Sequence, residues 1–462
     1  MLLAFLVAIA LSMLTYALSG ARSLAYLLYF LAFLPFVSID PESGGLQQLS
    51  EMGGLNVMLK MSVRLATSAA LMLLLFRRRD ALRHALRPAC WPVVLYFLWA
   101  CAGLLRAESP WVALFRLGEL LVFFLIGVCL FLEVDRFESP RRVARWHCLA
   151  LLPLCLATMY AARVNPEVAY HEGLGGLRLG HKFVEANVLG FAASVVMLWA
   201  TNELREKRES ARAWLYERAV PLVGLAIAAF ILVYARSRTA MVTVVAGQFL
   251  LWFPFYRGDS RRRALFALSV LAALATVTAN SATITEWFLR GDSVVDLMSG
   301  TGRTGLWRAL ISEQVPKAPI LGTGYLTLSE TGYFEHAGTW WTNAHNTYMF
   351  ALVSTGIPGL IGVLAIVFLP LRATFRRVFA SQPEDRASWV LLFALQAVVA
   401  ITCITGFGVS GFPNPVMLFS YAIYLYSVAT PRSAPAPARA MLPGPGSAPP
   451  WKLLRRPQES TP

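Results

Sequence analysis

The chain has 462 residues, 57% of them hydrophobic and only 15% charged, with a formal net charge of +15 at pH 7. Repeated apolar runs of about 20 residues exclude a soluble domain and indicate an all-α, polytopic integral membrane protein. The six cysteines lie in or beside apolar runs and show neither metal-type spacing nor a disulfide framework, which sets aside a cysteine-stapled fold.

Spanning helices are expected at about 2–18, 23–38, 53–76, 90–105, 112–133, 147–162, 184–201, 219–234, 239–256, 264–279, 346–369, 388–406 and 413–430. That gives thirteen, or twelve if the first two form a re-entrant pair. The N-terminus lacks the basic start and small-residue cleavage site of a clear secretory signal, so it reads as a first helix. The polar connections alternate sharply in charge. Arg77, Arg78, Arg79, Arg83 and Arg87 share one loop; Arg136, Arg141, Arg142 and Arg145 share the next on that side. Arg205 to Arg218, Arg257 to Arg263 and Arg372 to Arg386 continue the pattern. With Arg22 and the tail, 28 of the 41 Lys and Arg fall on one face, which the positive-inside rule makes cytoplasmic. The positive charge is therefore topology and gives no reason to expect nucleic acid as a partner.

Residues 1–430 form the membrane domain in this reading. The last 32 residues hold nine of the 26 prolines among Ala, Gly and Ser, a composition that cannot bury a core and predicts a disordered cytoplasmic tail over 431–462. Within it, Trp451-Lys-Leu-Leu-Arg-Arg456 offers a contact for anionic membrane lipids, although a plain solvated tail is the simpler reading. Two outer connections are long, about 163–183 and about 280–345. The second carries a helical signal over 299–315, where Leu306, Trp307, Leu310 and Ile311 recur at helical spacing behind Thr301 as N-cap. It predicts an amphipathic helix lying against the outer face of the membrane.

The basic residues that break the topology rule carry the chemistry. Lys60 and Arg64 lie well inside the third expected helix, and Arg116 lies one turn inside the fifth, followed by Glu119. A charge near the bilayer centre costs on the order of 3 kcal/mol on insertion scales, so such residues line a polar cavity or pair with each other. Arg116 and Glu119, three apart on one helix face, are placed to neutralise each other. Arg178, Arg236, Arg238 and Arg303 gather at outer helix ends. Arg303 opposes the macrodipole of the helix it opens and suits an anion bound there. Singly, each reads more simply as an interfacial anchor than as a ligand contact; together they describe an outward-facing basic vestibule, and a diphosphate matches the planar fork of Arg. The long loop ends in Thr342-Asn-Ala-His-Asn-Thr-Tyr348, directly before an apolar helix. In the plain reading Asn346 caps that helix and His345 is an ordinary interfacial residue. Near its unperturbed pKa of about 6.5, His345 is also suited to take or orient a hydroxyl proton.

The chain has no Walker A loop, no His-Glu-x-x-His pair and no Gly-x-Ser-x-Gly elbow. The Gly-rich run at 173–180 is read as following no strand, hence not as a nucleotide fingerprint. A donor that carries its own leaving group fits better than ATP-driven or metal-dependent chemistry.

Four pieces, in order, resemble the O-antigen ligase family of bacterial membrane glycosyltransferases, which includes Wzy-type polysaccharide polymerases. They are Arg178-x-Gly180 with Asn187-Val-Leu-Gly190; Ser237-Arg238-Thr239; Gly302-Arg-Thr-Gly-Leu-Trp307 with Gly322-Thr-Gly324; and His345-Asn-Thr-Tyr348 with Ser354-Thr-Gly-Ile-Pro-Gly359. The resembling region runs from about 175 to 365. The resemblance implies a GT-C-like helical fold in the bacterial inner membrane with its active site facing the periplasm. It also implies inverting transfer, without metal or other cofactor, of a glycan from undecaprenyl diphosphate to lipid A–core sugar or to a growing glycan. Catalytic roles then fall to His345, Arg303 and Arg238. The resemblance extends to Arg178 for diphosphate binding, and the charge pattern of this chain adds Arg236, Lys60, Arg64 and Arg116 to it, with Asn346 and Tyr348 in support. A lipid-linked glycan flippase is the alternative from another class, although the two halves show no matching broken helices of the transporter kind.

Overall fold

A computed structural model describes residues 2–19, 23–33, 88–107, 110–173, 176–180, 184–205, 211–252, 278–289, 303–325, 334–336, 339–341, 344–406, 408–409 and 414–429, with a few isolated positions between them. Lys60, Arg64, Thr301, most of the helices expected at 53–76 and 264–279, and the tail lie outside the described residues.

The described chain is helical apart from two small hairpins. It begins with α1 (Leu2–Ser19) and α2 (Leu24–Leu31), then α3 (Trp91–Ala102), α4 (Pro110–Glu133), α5 (Pro140–Leu149) and α6 (Leu152–Val164). Next come α7 (Ala186–Arg205), α8 (Ala211–Ala235) and α9 (Arg238–Trp252). The long connection contributes α10 (Ser281–Leu289) and α11 (Arg303–Ala309), and the bundle closes with α12 (Thr347–Ala380), α13 (Pro383–Thr405) and α14 (Pro415–Ala429). Among the described residues six helical stretches are long and apolar enough to cross a membrane, and Val7–Ala17 and Pro415–Ala429 are shorter apolar helices. The chain is a membrane protein. Its core is one continuous cluster in which α14 is buried along its length and α7 nearly so.

Several boundaries differ from expectation for local reasons. The helix expected at 147–162 starts at Pro140, whose fixed φ suits a first turn under the Ser139 cap. The helix expected to end at 369 runs on to Ala380, so Arg372, Arg376 and Arg377 ride on helix instead of in a loop. After the break at Gly356, α12 runs on for the 24 residues 357–380, about 36 Å by the rise of an α-helix and somewhat more than a hydrocarbon core of about 30 Å. It bends at Gly356, where φ is 70°.

That bend receives the loop 318–324. Thr323 N donates to Val353 O (2.9 Å), Gly324 N to Ser354 O (3.2 Å) and Ile357 N to Pro319 O (2.9 Å). A Cβ on Gly322 would fall on the Ser354 backbone, and one on Gly356 on the Ile320 carbonyl, and both glycines have positive φ. Only glycine permits this backbone-to-backbone contact.

The connection 163–183 is not plain loop. A helical turn, Pro166–Ala169, leads into an antiparallel hairpin of β1 (Tyr170–Gly173) and β2 (Gly176–Leu179), which pairs Tyr170 with Leu179 and His171 with Arg178. The Gly-rich run therefore does follow a short strand, contrary to expectation. The chain returns antiparallel from it, so the strand–turn–helix of a nucleotide fingerprint is still not formed. The second connection holds a smaller hairpin, β3 (Phe334–His336) with β4 (Thr339–Trp341).

The helix expected over 299–315 is present in its described part. From Arg303, the first described residue there, it passes into a π turn at Leu310–Gln314 and ends in a 3₁₀ turn. Leu306 and Leu310 are buried with Val353, and Trp307 and Met349 pack beside them. Leu306 and Leu310 thus face the start of α12, while Ile311 stays 51% exposed.

At the opposite end of the bundle Arg141 makes a two-pronged ion pair with buried Glu203 (3.2 and 2.8 Å), and Arg205 donates to Leu251 O. Nearby within the core, Tyr26, Asp135 and His147 are fully buried and mutually bonded. The Tyr26 hydroxyl donates to the Asp135 carboxylate, and His147 Nε2 lies 3.2 Å from both the hydroxyl oxygen and Asp135 Oδ2. This polar knot fastens α2 to the turn between α4 and α5.

Candidate functional site

The start of α7, the end of α8, the start of α9, the start of α11, the start of α12 and the end of α13 converge at one end of the bundle. Three of the predicted arginines are brought together there. Arg178, half-buried on β2, donates from Nε to Ala235 O at the end of α8 (2.9 Å) and from Nη2 to Asn187 Oδ1 on α7 (3.2 Å). Asn187 also accepts from Ser237 Oγ (3.1 Å) and donates to Glu185 Oε1 (3.1 Å). The first two motif pieces are thereby joined. Arg238, the first residue of α9, donates from Nε to Phe288 O (2.6 Å) and from Nη2 to Leu289 O, which ends α10. A planar fork between two carbonyls is geometry that only Arg supplies.

Arg303 opens α11 and donates from Nη1 to Thr405 O at the end of α13 (3.4 Å). The Thr405 hydroxyl lies 2.6 Å from that of Thr239, and Thr347 Oγ1 donates to Gly406 O (2.8 Å). Thr405 and Gly406 thus hold the second, third and fourth motif pieces at one point. Trp307 Nε1 donates to Ala344 O (2.8 Å) and fastens α11 beside His345.

His345 precedes α12 with φ 47°, and Arg236, between α8 and α9, has the same φ; they are the two non-glycine residues with positive φ among those described. Such strain costs of order 1–3 kcal/mol each and persists where surrounding contacts over-determine the backbone. Asn346 caps α12, its Oδ1 accepting from Tyr348 N (2.9 Å) and Met349 N (3.0 Å). Tyr348 OH donates to Ala400 O on α13 (3.3 Å). Asn346 Oδ1 and the Tyr348 hydroxyl are thus engaged within the fold beside His345.

The charges form one field. Burial pulls Arg178 below the ordinary guanidinium range; Glu185 opposes that shift, while Arg238 and Arg303 add to it. Arg303 is lowered by burial and by Arg238, with Glu185 opposing. His345 is held down to about 4, first by burial and then by the Arg303 cation. This corrects the expectation of a near-ordinary imidazole. At neutral pH His345 is uncharged, but it is a weaker base than the loop position suggested.

The other candidates lie differently. Arg116 is bound by Glu119 on its own helix at 2.8 Å, with both side chains largely buried. Arg236 faces a separate cavity with Tyr234 and Trp287. Among the described residues no group of three or more His, Cys, Asp or Glu is placed to hold a metal ion. Sequence reading missed Glu185 and Thr405. Neither stands in a patterned stretch, and the Thr405 contacts cross 102 and 166 residues of chain.

Residues 223–364 match the family model for O-antigen ligase. The chain is also 28% identical over 251 residues to the exopolysaccharide production protein ExoQ of Rhizobium meliloti (strain 1021), a match covering 50% of this chain and 55% of that protein. The chain thus spans about half the length of the curated relative it matches. The family match contains Arg236, Arg238, Arg303 and His345 and begins after Arg178.

Proposed function

Since the chain belongs to the O-antigen ligase family by its residues 223–364, we propose that it is a membrane glycosyltransferase. In this reading it moves a glycan from undecaprenyl diphosphate to a sugar hydroxyl at the periplasmic face of the bacterial inner membrane. One observation carries the proposal: Arg178, Arg238 and Arg303 lie close enough to act on one another, Glu185 acts on Arg178 and Arg303, and His345 lies within reach of the Arg303 charge.

The bond that breaks joins the sugar's anomeric carbon to the diphosphate, so negative charge grows on the departing oxygen. Preorganised cations in a water-poor site stabilise such charge far better than solvent does. Arg238 and Arg303 fill this role, and Arg178 holds the outer phosphate. The acceptor hydroxyl attacks from the opposite side, inverting the centre, and its proton passes to neutral His345. Donor binding also primes the base: diphosphate offsets the Arg303 charge, which raises His345 from about 4 toward the range of an effective acceptor.

The acceptor in the leading reading is lipid A–core sugar, after the family description. Similarity to an exopolysaccharide production protein favours a second reading, in which the acceptor is the end of a growing lipid-linked glycan. Purified protein in nanodiscs, given a synthetic undecaprenyl-diphosphate glycan and each acceptor in turn, separates them by which glycosidic product forms. Release of undecaprenyl diphosphate with a new glycosidic bond is expected. Movement of donor across the bilayer without bond formation would make the protein a flippase. His345→Ala should lose transfer by about 10²–10⁴, and Arg303→Lys should fail through loss of the fork. Normal transfer by both variants would overturn the assignment.

A further inference from the structure

Beside the arginine cluster lies a cavity of about 1020 Å³ that the transfer mechanism leaves unused. It is walled by the turn Pro166–Ala169, the hairpin β1–β2, the end of α8 and α10. Its chemically distinctive lining residues are Glu167, Tyr170, His171, Tyr234, Arg236 and Trp287. The volume matches the upper end of the roughly 300–1,000 Å³ common for small-molecule sites.

The cavity and the cluster share walls. Arg236 faces the cavity, while Arg238, two residues on, is held by the carbonyls of Phe288 and Leu289. Those carbonyls directly follow Trp287, which lines the cavity. His171 lines it as well, and its strand partner in the hairpin is Arg178 of the cluster. The left-handed backbone at Arg236 is what sends successive arginines to different places along one turn.

Three aromatic rings with a carboxylate, an imidazole and a guanidinium form a mixed surface. A lipid chain has no use for Glu167, His171 and Arg236, and an inorganic anion has none for three rings. A pyranose uses both kinds of group. Its C–H faces pack on aromatic rings, and its equatorial hydroxyls bond to carboxylate, imidazole and guanidinium. The geometry points to this cavity as the saccharide-binding subsite, holding two or three sugar residues of the chain whose terminal unit reaches the arginine cluster. The inference rests on the glycosyltransferase reading for its role but not for the binding itself. The sugars belong to the acceptor or to the donor glycan, and the chemistry is common to both.

Binding is tested without donor or turnover. A lipid-free repeat-unit oligosaccharide, released by mild acid from the producing cell's surface polysaccharide, is titrated against the full-length protein in nanodiscs by calorimetry. Wild-type protein and Trp287→Phe should bind it, while Trp287→Ala and Glu167→Gln should each weaken binding by about tenfold, a change of about 1.4 kcal/mol. Steady-state transfer then identifies the source. A rise in acceptor KM with kcat and donor KM unchanged assigns the cavity to the acceptor; a rise in donor KM alone assigns it to the donor glycan. Unchanged oligosaccharide affinity in both weakened variants, or displacement of nothing but lipid from the cavity, would overturn the inference. Oligosaccharide binding by a protein that forms no glycosidic bond would retain the subsite and sink the enzyme reading instead.

Discussion

His345 and Arg303 are coupled at the scale of single residues, and the coupling has a sign. The cation depresses the imidazole, so removing the charge must raise it. In Arg303→Gln the acid limb of kcat/KM for the donor, which reports the free protein, should move to higher pH from its wild-type position near 4. Burial is the larger cause of the depression, so the limb should stop short of the ordinary 6.5. A limb that stays fixed or moves to lower pH would mean that the two groups do not act on each other. The site arginines and His345 were legible in the sequence because they break rules: cations on the poor side of the charge asymmetry, and a His-Asn pair at a boundary. Glu185 and Thr405 break no rule, so nothing local marked them. The His345 shift was equally hidden, since it depends on neighbours a long way off in the chain.

Helix existence was the easy part of the elements, because a bilayer demands long apolar runs and internally satisfied backbones. Ends were harder. Continuation of α12 to Ala380 has no hydropathic signature, as its last turns carry Arg372, Arg376 and Arg377. The hairpin at 170–179 and the π turn at 310–314 are set by tertiary contact and have no period to read. Glycines 322 and 356 do carry a message, and it concerns the clamp between the loop 318–324 and the bend of α12. Gly356→Ala places a Cβ against the Ile320 carbonyl at φ 70°. It should lower stability by at least about 1–3 kcal/mol, read as a fall in the thermal midpoint in detergent, with transfer falling as His345 shifts. Gly118→Ala is the control, since a Cβ there meets nothing within 4 Å. A helical Ala in place of Gly should be neutral or stabilising by roughly 0.5–1 kcal/mol. Equal behaviour of the two variants would remove the clamp.

Across the whole molecule the two ends of the bundle differ in how they use arginine. At one end Arg141 has a buried carboxylate partner and Arg377 lies 4.5 Å over Trp389, which stacks on Tyr426. At the other, Arg178, Arg238 and Arg303 act on one another, with Glu185 acting on Arg178 and Arg303. The proposed function needs the second end outside. Single cysteines at the exposed positions Arg142 and Arg163 lie at opposite ends, and five of the six native cysteines are buried. An impermeant thiol reagent should label Arg163→Cys in intact spheroplasts and Arg142→Cys only after permeabilisation. The reverse pattern would put the arginine cluster in the cytoplasm and end the transferase reading.

Thr405 gives the molecule a keystone. Its hydroxyl meets Thr239, its carbonyl receives Arg303, and the next carbonyl receives Thr347, two residues past His345. Segments far apart along the chain are thereby locked to a common anchor, so none of them drifts alone. A lesion at that threonine, remote from any bond being made, would mimic simultaneous damage to phosphate grip and proton removal, and scanning the motifs one at a time would never reveal why.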